Sequence, residues 1–166
     1  MRHTLALLLA LCLVMAGCGG SEPVPVPEQR LAKPIDELCE QLCEDYALPQ
    51  PMSIDSELLE QLFGIAPEQA AGYAGYMSMD SNSPDHLVAV QALPECSEEV
   101  AQALEARRAL LLDAYAGSPE ALLRVQAGQV VFRGDFVFLV IAAREGQQPT
   151  DEVADIIAQI EDNFEK

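Results

Sequence analysis

Val130-Val131-Phe132-Arg133-Gly134-Asp135-Phe136-Val137-Phe138-Leu139-Val140-Ile141-Ala142 is the stretch on which the fold turns. Two runs of β-branched and aromatic residues flank a charged Gly turn, and that spacing predicts a hairpin. In the second arm Phe136, Phe138 and Val140 alternate with Val137, Leu139 and Ile141, so both faces are apolar. Such a strand belongs in the interior of a sheet and needs at least one face under helices.

Upstream, residues 70–79 alternate through Tyr73, Gly75 and Met77, and a run around Leu87-Val88-Ala89-Val90 follows at 86–92. Asp80-Ser81-Asn82-Ser83-Pro84-Asp85 between them is rich in turn formers, so two antiparallel strands are expected. Helices fill the remainder. Ile35, Leu38, Cys39, Leu42, Cys43 and Tyr46 recur at steps of three and four, with acidic residues on the opposite face. Asp55 and Gly64 bracket a short helix carrying Leu58, Leu59, Leu62 and Phe63. Ser97-Glu98-Glu99 opens a long helix that Gly117 stops, and Ser118-Pro119-Glu120 starts a shorter one ending near Gly128. Thr150 is expected to cap a last helix with Val153, Ile156, Ile157, Ile160 and Phe164 on one stripe. The expected class is α+β: a four-stranded antiparallel sheet packed against helices on one face.

The 166 residues suffice for one domain with a real core and are too few for two ordinary ones. Met1-Arg2-His3 gives a short basic start, and an apolar run from Thr4 to Met15 leads into Ala16-Gly17-Cys18. This is the build of an export signal, shorter than the ~20 residues that span a bilayer. Met15-Ala16-Gly17-Cys18 resembles the bacterial lipobox, which implies diacylglyceryl transfer to Cys18 and cleavage before it. Residues 1–17 are therefore expected to be a lipoprotein signal peptide, 18–34 a lipidated Cys with a Pro-rich flexible tether, and 35–166 one globular domain. The net charge is −18, and removal of residues 1–17 with their single charge, Arg2, leaves −19. That balance repels phosphate backbones, so nucleic acid is not an expected partner.

The run Glu57-Leu58-Leu59-Glu60-Gln61-Leu62-Phe63-Gly64-Ile65, the later Val88-Ala89-Val90-Gln91-Ala92, Ala103-Leu104 with Arg107-Arg108, and the hairpin at 130–139 carry a further likeness. Over roughly residues 36–162 the chain resembles the family of Gram-positive lipoproteins built on the domain of unknown function 4358. It departs from that pattern at Gln91, Asp135 and His86. The resemblance implies a lipobox, a short linker, a helix ending in an aromatic-Gly-Ile step and a Gly turn between two apolar strands, and no catalytic motif.

His86 is the one histidine left once His3 departs with the signal, too few for a multi-histidine metal site; a strand-end structural residue is expected. Asp80, Asn82 and Asp85 carry oxygen ligands, but their spacing with Pro84 fits turn chemistry better than a calcium loop. Arg133-Gly134-Asp135 spells an adhesion tripeptide, but a charged Gly turn at a hairpin tip is the expected reading. Cys39, Cys43 and Cys96 are either buried free thiols or supply one bridge, from Cys39 or Cys43 to Cys96. No catalytic residue, metal ligand or cofactor is expected.

The expectation for function is a membrane-anchored extracytoplasmic lipoprotein acting as a non-enzymatic binding or accessory module of the cell envelope. Its partners would be the membrane, through the lipid on Cys18, and an envelope protein or ligand met by the outer sheet face or by loops at 66–75 and 146–150. The alternative is an envelope hydrolase or thiol enzyme. A cleft joining His86 or a cysteine to a carboxylate would favour the enzyme.

Overall fold

A computed structural model of the chain describes residues 29–165. Cys18, the apolar leader and most of the Pro-rich segment lie outside the described residues. The elements run α1 (Ile35–Asp45), β1 (Pro51–Ser53), α2 (Ser56–Phe63), β2 (Ala70–Ser78), β3 (His86–Ala92), α3 (Ser97–Ala114), α4 (Pro119–Ala127), β4 (Gln129–Arg133), β5 (Phe136–Ile141) and α5 (Pro149–Asp162). The class is α+β.

The hairpin forms as the sequence predicts. Arg133 pairs with Phe136 across a two-residue turn, and Gly134 takes φ +56 at its first position, a conformation open to glycine. β5 is buried along its whole length and lies between β3 and β4. Asp55 caps α2 by accepting the Leu58 N–H at 2.8 Å, and Gly64 ends that helix at φ +69.

The sheet has five strands rather than the expected four, all antiparallel in the order β1-β2-β3-β5-β4. The added strand is Pro51-Met52-Ser53, which pairs with Ser78, Met77 and Tyr76. Three residues cannot show an alternation, and a proline is tolerated there because the strand is an edge. Helices also cover both faces, not one. Leu38, Leu42 and Tyr46 at the α1 end join Val153, Ile156 and Ile160 of α5 over Leu87, Ala89, Phe136, Phe138 and Val140. Leu59 and Phe63 of α2, Val100, Leu104 and Leu111 of α3, and Val125 of α4 cover Val88, Val90, Val137, Leu139 and Ile141. The physical reason is in β5 itself: two apolar faces need two apolar layers. The last helix starts at Pro149 behind Gln148, so Thr150 lies within its first turn instead of capping it.

The domain also begins earlier than the expected boundary at residue 35. Leu31 bridges Phe164, Ala32 N donates to Asn163 O at 2.7 Å, and Glu165 N donates to Arg30 O at 2.9 Å. Leu31 packs on the α1/α5 core, so residues 30–34 are held to the domain. Phe164 in turn meets Phe136, with ring centroids 5.6 Å apart, so the chain joins the domain at the hairpin end of the sheet.

Gly75 of β2 is crowded by the backbone of β3 on one side and by the residue that follows β1 on the other. Ile54 N donates to Gly75 O at 2.9 Å, and a Cβ at Gly75 would sit 2.6 Å from Leu87 O and 2.9 Å from Val88 Cα. Both obstacles are backbone and cannot swing aside. Gly75→Ala should therefore lower stability by about 1–3 kcal/mol in urea titration, and an unchanged midpoint would contradict this packing.

Candidate functional site

Antiparallel pairing sets His86 opposite Ile141, so the 79–85 turn lies at the end of the sheet away from Gly134. Asp80 organises this turn: its Oδ1 accepts from Asn82 N at 2.9 Å and from Asn82 Nδ2 at 3.1 Å, and its carbonyl accepts from Ser83 N. This is the turn chemistry the sequence predicts. Beside it opens a cleft of about 360 Å³, with walls from the turn (Asp80, Asn82, Ser83), α4 and its N-cap (Ser118, Glu120, Arg124), the α1–β1 link (Ala47, Pro49) and the segment after β5 (Ala143, Glu145).

The cleft's cation, Arg124, is mostly buried and donates from a terminal guanidinium nitrogen to Asp85 Oδ2 at 2.9 Å. Asp85 is 1% exposed, and its Oδ1 has no hydrogen-bond partner. Burial raises the Asp85 pKa above the ordinary carboxylate value, against the opposing pull of Arg124. A buried carboxylate with one satisfied oxygen depends strongly on its single cation. The backbone on the α1–β1 side is also unusual: Ala47 and Gln50 take φ +49 and +46, each at a cost on the order of 1 kcal/mol. Ser78 Oγ donates to Pro49 O at 2.7 Å, and Met79 N donates to Gln50 O at 3.0 Å. These two bonds hold that strained link against β2.

His86 follows Asp85 but meets α2 and α3 rather than α4. Its Nδ1 lies 2.7 Å from Pro84 O, and since a carbonyl only accepts, Nδ1 carries the proton. Nε2 is left to accept from Arg107 at 3.2 Å. The Phe63 ring stands edge-on at 5.9 Å, with the Arg107 guanidinium 5.6 Å from its centroid. Burial first, and Arg107 with it, lower the His86 pKa to about 4, so the ring is neutral near pH 7. Tyr115 closes the group by donating to Ser83 O at 2.9 Å. His86 thus meets a cation, not the carboxylate that would signal acid–base chemistry, and it does not line the cleft.

Flanking the cleft, Arg144 is fixed by Glu152, which is 4% exposed and accepts from Arg144 N, Nε and a terminal nitrogen at 3.2, 2.7 and 2.7 Å. Hydrogen bonding to Arg144 lowers the Glu152 pKa. Arg144 also stacks on Tyr46 at 5.1 Å, which ties the segment leaving β5 to the end of α1.

The three cysteines of the domain are free. Cys39 and Cys43 sit in the α1/α5 layer, whereas Cys96 packs against the α2/α3 layer. The sheet lies between them, so the alternative bridge from Cys39 or Cys43 to Cys96 is not formed. Burial, then the nearby Asp36 and Cys43, push the Cys39 pKa up to about 12, and burial raises that of Cys43. Cys39 donates to Ala74 O at 3.7 Å, the contact of a core thiol. Among the described residues no three His, Cys, Asp or Glu side chains gather as a metal cage. Arg133-Gly134-Asp135 forms the hairpin tip, where Arg133 pairs with Glu161. The outer sheet face expected to meet a partner is covered by helices, and the expected loop at 66–75 is strand from Ala70 onward.

Arg124 is a residue that sequence reasoning missed, and Arg107 enters it through the family likeness, without its link to His86. Arg107 falls on the inward stripe of α3 and Arg124 beside Val125, and an arginine on an apolar stripe signals a buried acceptor, though not which one.

No curated protein and no solved structure matches the chain. A family match covers residues 44–142, narrower than the 36–162 that the resemblance suggests; it holds all five strands with α2, α3 and α4 but leaves out α5 and most of α1. Within the matched part the helices α2, α3 and α4 share one face of the sheet. Because it spans more than half of the chain, this protein belongs to the family described as Domain of unknown function (DUF4358).

Proposed function

We propose that the protein is an extracytoplasmic lipoprotein, held to the membrane by a lipid on Cys18, whose domain acts as a non-enzymatic binding or accessory module of the envelope. The observation that carries the binding role is the polar cleft between the 79–85 turn and α4, assembled from four separate segments around the Arg124–Asp85 pair. Its partner is an envelope protein or ligand of polar character, and the chain's acidity argues against nucleic acid. The thiol-enzyme alternative is weakened by Cys39, whose burial opposes the thiolate that reactive cysteines need.

The anchor reading rests on the basic start, the apolar run and Ala16-Gly17 before Cys18. Two acyl chains give durable attachment, since each buried methylene contributes ~0.8 kcal/mol. Cys18→Ser in the full chain should abolish incorporation of labelled palmitate and leave the protein unprocessed or released. Retention in the membrane fraction at mature size with label still incorporated would overturn the anchor.

A further inference from the structure

The cleft and the point where the chain joins the domain lie at opposite poles. Gln29 packs against Gly134 at the hairpin tip, and Leu31 bridges Phe164 beside Phe136. The cleft lies beyond Ile141, at the far end of the six-residue β5, roughly 20 Å along the strand. Between Cys18 and Gln29 stand ten residues, Gly19 to Glu28. Covalent geometry limits that segment to about 40 Å, whatever its conformation.

We propose that the domain stands with its hairpin pole toward the membrane and presents the cleft pole away from it, so that the cleft's partner is a water-borne polar molecule rather than lipid. This inference rests on anchoring at Cys18. A domain of this size is roughly 35 Å across. To set the cleft pole on the bilayer, the segment would have to pass from the upper pole over the side and down to the surface, roughly 45 Å for a sphere of that diameter. It is too short to do so. Charge acts in the same sense: the chain without residues 1–17, carrying −19, is repelled by an anionic surface within about a Debye length, ~8 Å at physiological salt. Repulsion of the body combined with attachment at one pole orients the domain.

The test uses the full lipidated chain, purified from membranes and reconstituted in phosphatidylglycerol–phosphatidylcholine vesicles. Cys39 and Cys43 are buried, so Cys96→Ser supplies a quiet background for Asp135→Cys at the hairpin tip or Glu145→Cys at the cleft, both exposed positions. Modification by a bulky polyethylene-glycol maleimide is timed on vesicles and in detergent. Glu145→Cys should react on vesicles within about twofold of its detergent rate, while Asp135→Cys is slowed at least about fivefold by the nearby surface. Protein that floats with the vesicles yet shows equal slowing at both positions, or more at Glu145→Cys, overturns the orientation and leaves the anchor standing. Protein that does not float overturns the anchor, and the orientation with it.

Discussion

Replacing Arg124 with Ala is expected to lower stability by about 3–5 kcal/mol at pH 7, among the largest losses any single substitution outside the core should produce. Asp85 is 1% exposed, and its one hydrogen-bonded oxygen relies on the Arg124 guanidinium at 2.9 Å. Without Arg124 the carboxylate must stay buried and unpaired, take up a proton, or drag its turn toward water. Burial already raises its pKa while Arg124 opposes the rise, so loss of Arg124 raises it further. The sign of the pH dependence follows. A folded-state carboxyl that holds its proton more tightly than the unfolded chain favours folding as pH falls toward the unfolded value of 3.8. The deficit of Arg124→Ala relative to wild type should therefore shrink on acidification. Asp85→Asn placed in the Arg124→Ala background should recover most of the loss at pH 7, because it removes the buried charge. A double variant as unstable as Arg124→Ala, with a deficit constant in pH, would mean that Arg124 acts through packing alone.

The same pair shows where sequence reading succeeds and where it stops. Gly134 between two β-rich runs, Asp55 and Gly64 around a leucine stripe, and Ser118-Pro119 at a helix start are local signals, and each marks the feature it promises. Face assignment is different. The stripes of α1 and α5 say that each helix buries one side, not which layer it joins; only the doubly apolar β5 calls for two layers, and that demand exceeds a sheet covered once. Asp85 reads as one more turn former in a run of them. Its partner lies 39 residues later on a nine-residue helix, and nothing local in either segment announces the other. The cleft stays hidden for the same reason, since its walls come from four segments that only the folded sheet brings together. Leu31 reads as part of the Pro-rich segment, because its partner Phe164 lies 133 residues later.

His86 supplies the second large effect, and it is one of pH. In the fold the imidazole is neutral, with Nδ1–H donated to Pro84 O and Nε2 accepting from Arg107. A second proton would turn Nε2 into a donor facing a donor and place two cations together beside Phe63, where the buried position of His86 weakens screening by solvent. Burial first, and Arg107 next, lower the folded pKa to about 4 from 6.5. For a histidine whose folded pKa is depressed, the unfolded chain binds the extra proton first. Its contribution to stability is therefore complete above pH 6.5, falls as pH drops from 6.5 to about 4, and is flat below that. The span corresponds to a loss of roughly 3 kcal/mol. Asp85 runs in the opposite sense over part of this range and Glu152 in the same sense at lower pH, so the His86 share must be taken by difference. His86→Gln removes the titration and leaves both carboxylates in place. The stability difference between wild type and His86→Gln, from urea titrations at half-unit steps, should move by about 3 kcal/mol against wild type between pH 7 and 4. A difference that stays constant across that range would mean that His86 takes up its proton as readily in the fold as in the unfolded chain, and that the contact with Arg107 does not hold the ring neutral.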